Sequence, residues 1–237
     1  FYHKLIIPFL IPFLLIMAIG PKLKWIKSNL EDKIYLITLL IVSILLSILI
    51  VKNFSSNFLI NTILISSAFY LFFITLRDFF IKGFKNLAQN ISHFGFSLLI
   101  LSILFNNLFS TEIITNLKVG ETFENTKTKI IFENISQEEE KNYKSIIAKF
   151  IIQDSKGRIE NLSPELRIYN QPNIVTSEAD IKTTLLSDKF IVINLVPNQE
   201  LFNVRYQVKP FMLWIWISVI LISIGGLLSF LKKEYEK

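Results

Sequence analysis

The chain has 237 residues, of which 51% are hydrophobic, and its 25 Lys and Arg against 19 Asp and Glu give a formal net charge of +6. The charges collect in short loops and in one long polar stretch, whereas soluble chains spread them more evenly. The basic excess lies beside hydrophobic spans and argues against nucleic-acid binding. With no cysteine and only two histidines, the chain cannot form disulfides, Cys-ligated zinc or iron–sulfur sites, or a multi-histidine metal site.

Five hydrophobic segments are predicted to cross a membrane, because a bilayer core about 30 Å thick requires roughly 20 apolar residues in a helix. They cover residues 5–20, 35–51, 58–76, 88–109 and 211–231. The first contains Pro8 and Pro12, which membrane helices tolerate. The predicted fold class is therefore a membrane protein, an α-helical transmembrane bundle of five spans. A small β-rich domain is inserted at 110–209, and a final span with a basic tail follows at 210–237.

The distribution of Lys and Arg predicts the orientation, because cytoplasmic loops are enriched in both. The basic residues follow span one (Lys22, Lys24, Lys27, Lys33), span three (Arg77, Lys82, Lys85) and span five (Lys232, Lys233, Lys237). These segments are predicted to be cytoplasmic, with the β-rich domain in the periplasm of a bacterial inner membrane. A mitochondrial inner membrane is the organellar alternative. Since the chain begins with Phe1, we expect it to be the carboxy-terminal piece of a longer protein.

The polar stretch 110–209 is predicted to form one small β-rich domain. Three runs rich in Ile, Val and Phe are typical of strands: Lys129–Phe132, Ser145–Ile152 and Lys189–Leu195. The tetrapeptide Asp154–Gly157 separates two such runs and is predicted to be a hairpin turn, in which Gly157 can adopt a positive φ. The cluster Gln137–Lys141 is interpreted as a solvated loop.

His93 is the most informative residue of the membrane part, since it lies inside span four toward its cytoplasmic end. An ionisable side chain at this depth normally faces the bundle interior and has a partner. One hypothesis makes His93 a haem or metal ligand or part of a proton relay, because a neutral imidazole nitrogen binds iron. The other makes it a hydrogen-bonding residue between helices. Gly95 would let a flat cofactor or a neighbouring helix approach the backbone.

The other candidates in the membrane part are interpreted structurally. His3 lies at the outer edge of span one, where histidines are usually interfacial. Trp214 and Trp216 lie near the outer end of span five and are interpreted as an aromatic belt at the headgroup level. The pair Gly225–Gly226 is interpreted as a site of close helix packing.

Four polar or aromatic residues of the soluble domain are candidates for a structural or docking role. Glu165, Arg167 and Glu178 could form an ion-pair network that orders two loops, or could form a docking surface that includes Tyr169. Neither a nucleophile, a histidine nor a Gly-rich phosphate loop accompanies them, so the pattern does not predict catalysis at this place. No catalytic residue is predicted elsewhere in the chain.

Four short motifs, taken in order, carry a family resemblance. They are Ile19–Pro21 with Trp25; Ser92–Phe96 in span four; Pro164–Tyr169 and Thr176–Ile181 followed by Asp188–Val192; and Arg205, Tyr206, Lys209 and Pro210 leading into Trp214–Trp216 and Gly225–Leu228. In order and spacing around the inserted domain, they resemble the carboxy-terminal part of the CcmF family. This family is the membrane haem lyase component of a cytochrome c maturation system.

The resemblance implies a function in cytochrome c maturation. The family receives haem from a periplasmic haem chaperone and joins it to the Cys-X-X-Cys-His motif of apocytochrome c through two thioether bonds. It also holds a b-type haem in the membrane, and His93 matches the span-four histidine that is one axial ligand. The implied partners are the haem chaperone, apocytochrome c, a thiol-reducing subunit of the maturation complex, the upstream half of the same family protein and membrane lipid.

The sequence also departs from the family. The tryptophan-rich haem-handling segment, its flanking histidines and the second axial ligand belong to the upstream part, so the resemblance implies that lyase activity requires that part. Two other hypotheses remain. In the first, the spans anchor a scaffold whose periplasmic domain recruits apocytochrome c or assembly partners, and His93 only packs. In the second, the chain is a transporter-type subunit, although the paired interrupted helices expected of such folds do not occur in the sequence.

Overall fold

The structure is a computed structural model that describes residues 2–22, 30–54, 57–82, 87–197 and 200–235. The chain divides into a helical unit, Phe1–Phe109 with Phe211–Lys237, and a strand unit, Ser110–Pro210. The helical unit contains α1 (Tyr2–Ile19), α2 (Leu30–Phe54), α3 (Phe58–Lys82), α4 (Leu87–Phe109) and α5 (Met212–Tyr235), and a 3-10 turn at Gly20–Lys22 follows α1. The predicted fold class, a helical membrane bundle with an inserted β-rich domain, is confirmed.

Four of the described helices are long and apolar enough to span a membrane, and the chain is a membrane protein. The apolar segments are Lys33–Lys52 in α2, Phe58–Ile81 in α3, Leu87–Phe109 in α4 and Met212–Leu231 in α5. The apolar part of α1 is shorter, Ile6–Ile19, and at 1.5 Å per residue it extends about 20 Å. The helix continues through Pro8 and Pro12. The predicted first span is therefore helical and shorter than the other four.

The end of α3 differs from its predicted position at residue 76. The helix continues to Lys82, although Arg77 and Asp78 introduce charge. The Arg77 guanidinium lies over the Tyr35 ring of α2, 3.6 Å from its centroid, and Asp78 is buried. Because both charged side chains are held within the bundle, they do not terminate the helix. Hydropathy alone placed the end of the helix six residues too early.

Apolar residues of α1, α3 and α4 form the core of the helical unit. Its most buried members are Leu14, Ala18, Leu64, Ala68, Tyr70, Leu71, Ile74 and Leu101. Hydroxyl side chains in the bundle bond to carbonyls of the preceding turn, as Ser43 does to Leu39 O at 2.7 Å and Ser67 to Leu64 O at 2.8 Å. These bonds satisfy polar groups that would otherwise be costly to bury.

Helices α4 and α5 pack against each other through glycines. A Cβ on Gly225 would lie 2.8 Å from the backbone oxygen of Ala88 and 2.8 Å from the backbone nitrogen of Ser92. A Cβ on Gly95 would lie 3.0 Å from the backbone nitrogen of Ile222. Small residues on both helices therefore allow the two backbones to approach closely, as is typical of membrane helix pairs.

Replacing Gly225 by Ala is expected to destabilise the helical unit, because the new methyl group must displace the α4 backbone. Overpacking of this kind typically lowers the free energy of unfolding by about 1–3 kcal/mol. Gly226→Ala is the matched control, since among the described residues no atom lies within 4 Å of its added Cβ. Thermal unfolding of the two variants in detergent measures the difference. Equal melting temperatures would contradict the packing assigned to Gly225.

The described residues of the strand unit form ten strands in two antiparallel sheets. The strands are β1 (Thr111–Leu117), β2 (Thr122–Glu124), β3 (Thr128–Glu139), β4 (Tyr143–Asp154), β5 (Ile159–Leu162), β6 (Glu165–Tyr169), β7 (Val175–Glu178), β8 (Asp180–Thr183), β9 (Ser187–Leu195) and β10 (Phe202–Pro210). One sheet has the order β1-β10-β9-β8, and the other has the order β2-β3-β4-β6-β7 with β5 paired to β4. Both sheets contribute to one buried core, in which Phe132 and Phe150 stack at 4.4 Å.

Local predictions in this unit have mixed outcomes. The turn after β4 forms as expected, with Gly157 at a φ of 75° and its N–H bonded to Asp154 O at 2.9 Å. The prediction that Gln137–Lys141 is a loop is wrong for its first three residues, because β3 extends to Glu139. Pairing of Glu139 with Lys144 across the hairpin holds these exposed residues in a strand. The polar composition therefore predicted a loop at residues that form a strand, because β4 pairs with them.

A buried ion pair links the two sheets. Lys189 Nζ on β9 lies 2.8 Å from Glu160 Oε1 on β5, and the side chains are 14% and 13% exposed. The other carboxylate oxygen of Glu160 has no hydrogen-bond partner among the described residues. Burial, with Glu160 as a second cause, raises the pKa of the neighbouring Tyr206 to about 12. The Tyr206 phenol is therefore neutral at physiological pH.

Lys189→Met is expected to lower the free energy of unfolding of the strand unit by about 3–5 kcal/mol, because it leaves the Glu160 carboxylate buried without a counter-charge. Lys129→Met is the control, since its pair with Glu124, at 3.3 Å, is solvent-exposed and contributes at most about 1 kcal/mol. Denaturant unfolding followed by the β-sheet circular dichroism signal compares them. Adding Glu160→Met to Lys189→Met should recover stability, and a further loss would oppose this account.

Candidate functional site

His93 lies on the face of α4 that is turned toward α1 and α3. It is half-buried, and together with Asn90 it lines a cavity of about 70 Å³. The other lining residues are Met17, Ala18, Pro21, Ile74, Thr75, Asp78 and Gln89. Asn90 and Gln89 precede His93 by three and four residues, which places all three on one side of the helix. Helical spacing therefore gathers the polar side chains of α4 at this cavity.

The polar groups of α3 meet those of α4 at the same place. Thr75 Oγ1 lies 3.3 Å from Ser97 Oγ, and the Ser97 hydroxyl donates to Phe94 O at 2.8 Å. Thr75, Asp78 and Asn90 are all buried. The carboxylate of Asp78 also interacts electrostatically with the His93 imidazole. The arrangement is a small polar pocket within an apolar bundle, with one imidazole and one carboxylate.

The pocket can supply one imidazole ligand to a metal. A ligating histidine needs a hydrogen-bond acceptor for its second ring nitrogen, and Asp78, Thr75 and Asn90 provide acceptor oxygens in the same cavity. Its volume of about 70 Å³ is well below the roughly 300–1,000 Å³ typical of pockets that enclose a whole organic ligand. Within the described ranges, no group of three His, Asp or Glu side chains could hold a metal ion. These residues thus fit one axial position for haem and only part of its pocket.

An apolar recess lies on the other side of α4. Its volume is about 270 Å³, and its lining is Leu76, Phe79, Phe80, Ile91, Phe94 and Leu221. Phe94 contributes to this recess while the adjacent His93 lines the polar cavity, so consecutive residues serve different surfaces. None of these lining residues is ionisable. The recess and the polar cavity around His93 have no lining residue in common.

Gly95 does not line the polar cavity. An added Cβ there would meet Leu221 Cβ and Ile222 N of α5, both at 3.0 Å. The geometry therefore gives Gly95 a part in helix packing, the second of the two readings that its sequence position allowed. It also explains the orientation of His93, because the small residues of α4 occupy the side that contacts α5.

The four candidates in the strand unit lie on paired strands and not on the two loops expected from the sequence. Glu165, Arg167 and Tyr169 alternate with core residues along β6, so they share the outer face of their sheet. Glu178 lies on β7 directly opposite Glu165. In these short strands the polar outer residues made the segments resemble loops, so the alternation of buried and exposed residues was not recognised in the sequence.

Arg167 is the centre of this outer face. Its Nε donates to Glu165 Oε2 at 3.0 Å, and Glu165 Oε2 also accepts from Ser145 Oγ at 3.1 Å. The Arg167 guanidinium lies 5.1 Å from the Tyr143 ring centroid, and that ring is 5.3 Å from the Tyr169 ring. The hydrogen bond with Glu165 raises the pKa of Arg167. The result is a cation, about one-third exposed, that is held by an ion pair and lies beside two tyrosines.

Glu178 takes no part in that ion pair. Its Oε1 accepts a hydrogen bond from Thr176 Oγ1 at 3.1 Å on the same strand, and the residue across the ladder is Glu165, which carries the same charge. The predicted ion-pair network is thus reduced to Glu165 and Arg167. Tyr143 and Ser145 on β4 complete the cluster, and sequence reasoning missed both because they lie about 20 residues away in the chain.

The two tryptophans lie in the first turns of α5. Trp216 is 63% exposed, whereas Trp214 is partly buried. Ser218, one turn further on, donates to the backbone oxygens of Trp214 and Ile215, the latter at 3.0 Å. An exposed tryptophan at the start of an apolar helix is the arrangement of an interfacial anchor.

Comparison with known proteins shows which proteins this chain is similar to. The family described as CcmF C-terminal beta-sandwich matches residues 108–210, which cover the strand unit. Cytochrome c-type biogenesis proteins CcmF of Haemophilus influenzae and Escherichia coli are 24% and 23% identical over the whole of this chain. The chain is similar to these CcmF proteins over its whole length, and residues 108–210 match the CcmF C-terminal beta-sandwich family. It corresponds to the carboxy-terminal part of these relatives, and it spans 39% and 38% of their lengths.

Two further comparisons agree with this similarity. Cytochrome c-type biogenesis protein ccl1 of Rhodobacter capsulatus is 30% identical over 50% of this chain and 18% of its own length. A solved structure of the cytochrome c heme lyase CcmF superposes with a TM-score of 0.72 at 18% identity, over 95% of this chain and 39% of that one. At this identity the superposition concerns the fold alone. The fold of the CcmF carboxy-terminal part is thus present here.

The structure adds residues that the sequence did not single out. Asp78, Thr75 and Asn90 share the cavity with His93. The charged pair Arg77–Asp78 at the end of an apolar segment was the available signal, because ionisable side chains at membrane depth mark candidate sites. Several residues used to predict orientation or resemblance lie outside the described residues: Lys24, Trp25, Lys27, Lys85 and Lys237.

Proposed function

We propose that this chain is the carboxy-terminal part of a haem lyase that functions in cytochrome c maturation. The observation that carries the proposal is a half-buried histidine in a polar pocket of a membrane bundle whose family members are cytochrome c-type biogenesis proteins. In the proposed complex, haem from a periplasmic haem chaperone is attached to apocytochrome c, with a thiol-reducing subunit keeping the acceptor cysteines reduced. Attachment itself requires the upstream half of the family protein.

His93 is the proposed axial ligand of a b-type haem in the membrane. Bound haem iron would supply one-electron chemistry that keeps the substrate haem reduced. His93 would supply the imidazole, and an acceptor oxygen of Asp78, Thr75 or Asn90 in the same cavity would orient the ring by accepting from its second nitrogen. Met17, Ala18 and Ile74 supply apolar lining to the same cavity. The second ligand and the remainder of the haem pocket come from the upstream half, since the described cavity is small.

The strand unit is proposed to be a periplasmic docking domain. Arg and Tyr are enriched where proteins bind each other, and the Arg167 cluster presents both from a rigid sheet. We assign the outer face of this sheet to binding of apocytochrome c, which also covers the alternative hypothesis of a scaffold. The proposed location is the bacterial inner membrane, with the strand unit in the periplasm.

Absorption spectroscopy tests the haem-ligand role of His93. The full-length protein is purified from membranes in wild-type form and as His93→Gly, and reduced spectra are recorded. We expect His93→Gly to lose nearly all of the b-type absorption bands while remaining assembled, and added imidazole to restore them by occupying the vacated position. Ser102→Ala, a buried residue nine positions further along α4 that does not line the cavity, is the matched control and should retain the bands.

The same spectra can overturn the proposal. If His93→Gly keeps the bands of wild type with the complex intact, His93 is a packing residue. If the bands disappear and imidazole restores nothing, while the variant unfolds at a lower temperature than wild type, the loss is structural. In both cases the chain would remain a membrane anchor for the strand unit, and docking would be the remaining function.

Binding of apocytochrome c tests the docking role of Arg167. Arg167→Gln removes the charge and the contact with Tyr143, and we expect the affinity of the full-length protein for an apocytochrome c peptide containing Cys-X-X-Cys-His to fall roughly tenfold. Arg205→Gln is the matched control, because Arg205 forms an equivalent exposed pair with Glu112 on the other sheet. Fluorescence anisotropy of a labelled peptide measures both. Equal affinities for the two variants would place docking elsewhere.

A further inference from the structure

The turn between β8 and β9 has an unusual composition. It consists of Thr184–Ser187, and its central residues Leu185 and Leu186 are 70% and 67% exposed. Exposed turns normally carry Gly, Pro, Asn, Asp or Ser, which suit the turn backbone and water. Two adjacent leucines at such a position present apolar surface and indicate an environment other than bulk water.

The turn is well ordered by its own hydrogen bonds. Thr184 N donates to Ser187 O at 3.0 Å, and Ser187 N donates to Thr184 Oγ1 at 3.1 Å. The Thr184 hydroxyl in turn donates to Ser187 O at 2.7 Å. The two leucines are therefore presented from a closed turn, and their exposure is a property of the fold.

Strand register places this turn at a particular end of its sheet. Ser187, the first residue of β9, pairs with Pro210, the last residue of β10. Val208 of β10 pairs with Thr111, the first residue of β1. Pro210 is two residues before the start of α5, and Thr111 is two residues after the end of α4. The Thr184–Ser187 turn thus lies at the end of the sheet where the chain enters from α4 and leaves toward α5.

Chain geometry then limits the distance from the turn to the bilayer. The apolar segment of α5 begins at Met212, and Trp216, four residues later, is exposed, as is expected of a tryptophan at the headgroup level. Neighbouring strands are about 4.8 Å apart and residues along a strand about 3.3 Å. Leu186 is therefore within roughly 10 Å of Pro210. The turn is therefore only a short chain distance from the start of α5.

We propose that the Leu185–Leu186 turn inserts into the lipid surface, at the boundary between headgroups and acyl chains of the leaflet in which α5 begins. Burial of the two leucines there removes apolar surface from water, as in other interfacial anchors. Lys182 on β8 is exposed three residues before Leu185 and suits anionic headgroups. The turn would add a third attachment of the strand unit to the membrane, beside its two covalent connections, and this role does not depend on haem.

Site-specific fluorescence tests the insertion. This chain contains no cysteine, so Leu186→Cys carries the sole label once any cysteine in the rest of the full-length protein is replaced. The labelled protein is reconstituted in nanodiscs of phosphatidylethanolamine and phosphatidylglycerol, with an environment-sensitive fluorophore. Emission is then quenched either with a lipid-borne nitroxide or with aqueous iodide. Leu185→Cys is a second labelling site.

Val119→Cys is the matched control, because Val119 is 48% exposed in another turn at the opposite end of the same sheet. Val119 follows Leu117, the last residue of β1. Leu117 pairs with Phe202, the first residue of β10, and Phe202 pairs with Leu195, the last residue of β9. We expect a blue-shifted emission from the Leu186 label, strong loss with the lipid-borne nitroxide and little loss with iodide. The Val119 label should show the reverse.

Two results would overturn the proposal. Iodide quenching of the Leu186 and Leu185 labels to the level of the Val119 label would mean that the turn lies in water. Protection of these labels from both quenchers would mean that a protein segment covers the turn. The exposed positions of all three residues make loss of folding unexpected, and the circular dichroism spectrum of each labelled protein checks it.

Discussion

The close approach of α4 and α5 determines how the helical unit presents its polar site. Gly225 admits the backbone of α4 at Ala88 and Ser92, and Gly95 admits the backbone of α5. When the small residues of an α-helix pack against one neighbouring helix, its other faces are directed away from that neighbour. In α4 the next face carries Asn90 and His93, which line the cavity with residues of α1 and α3. The packing requirement of one helix pair thus fixes the direction of the imidazole.

The same pair of helices explains how a domain of this size can be inserted between two membrane segments. In the strand unit, the first and last strands, β1 and β10, are neighbours, with Thr111 paired to Val208. In the helical unit, α4 and α5 are neighbours. Because the insertion begins and ends on adjacent strands, it can be accommodated between adjacent helices without separating them. Each unit keeps its own hydrophobic core.

The strand unit separates its charges into buried and exposed sets. The Glu160–Lys189 pair joins the two sheets inside the unit, where an unpaired charge would be strongly destabilising. The Glu165–Arg167 pair lies on the outer face and is about one-third exposed, where an ion pair adds little stability. The exposed pair is therefore accessible to a binding partner. The buried pair instead holds the two sheets together. This division supports a docking role for the Arg167 face.

The sequence by itself determined the features that depend on neighbouring residues. Continuous hydrophobicity identified the spans, the turn chemistry of Asp154–Gly157 identified a hairpin, and an ionisable residue within an apolar segment singled out His93. Only the tertiary structure decided the features that depend on distant residues. It brought Asp78 of α3 to His93 of α4, paired the acidic end of β3 with β4, and joined Arg167 to Tyr143. Hydropathy and turn preference are local properties, whereas helix facing and strand register are set by which segments bury surface against each other.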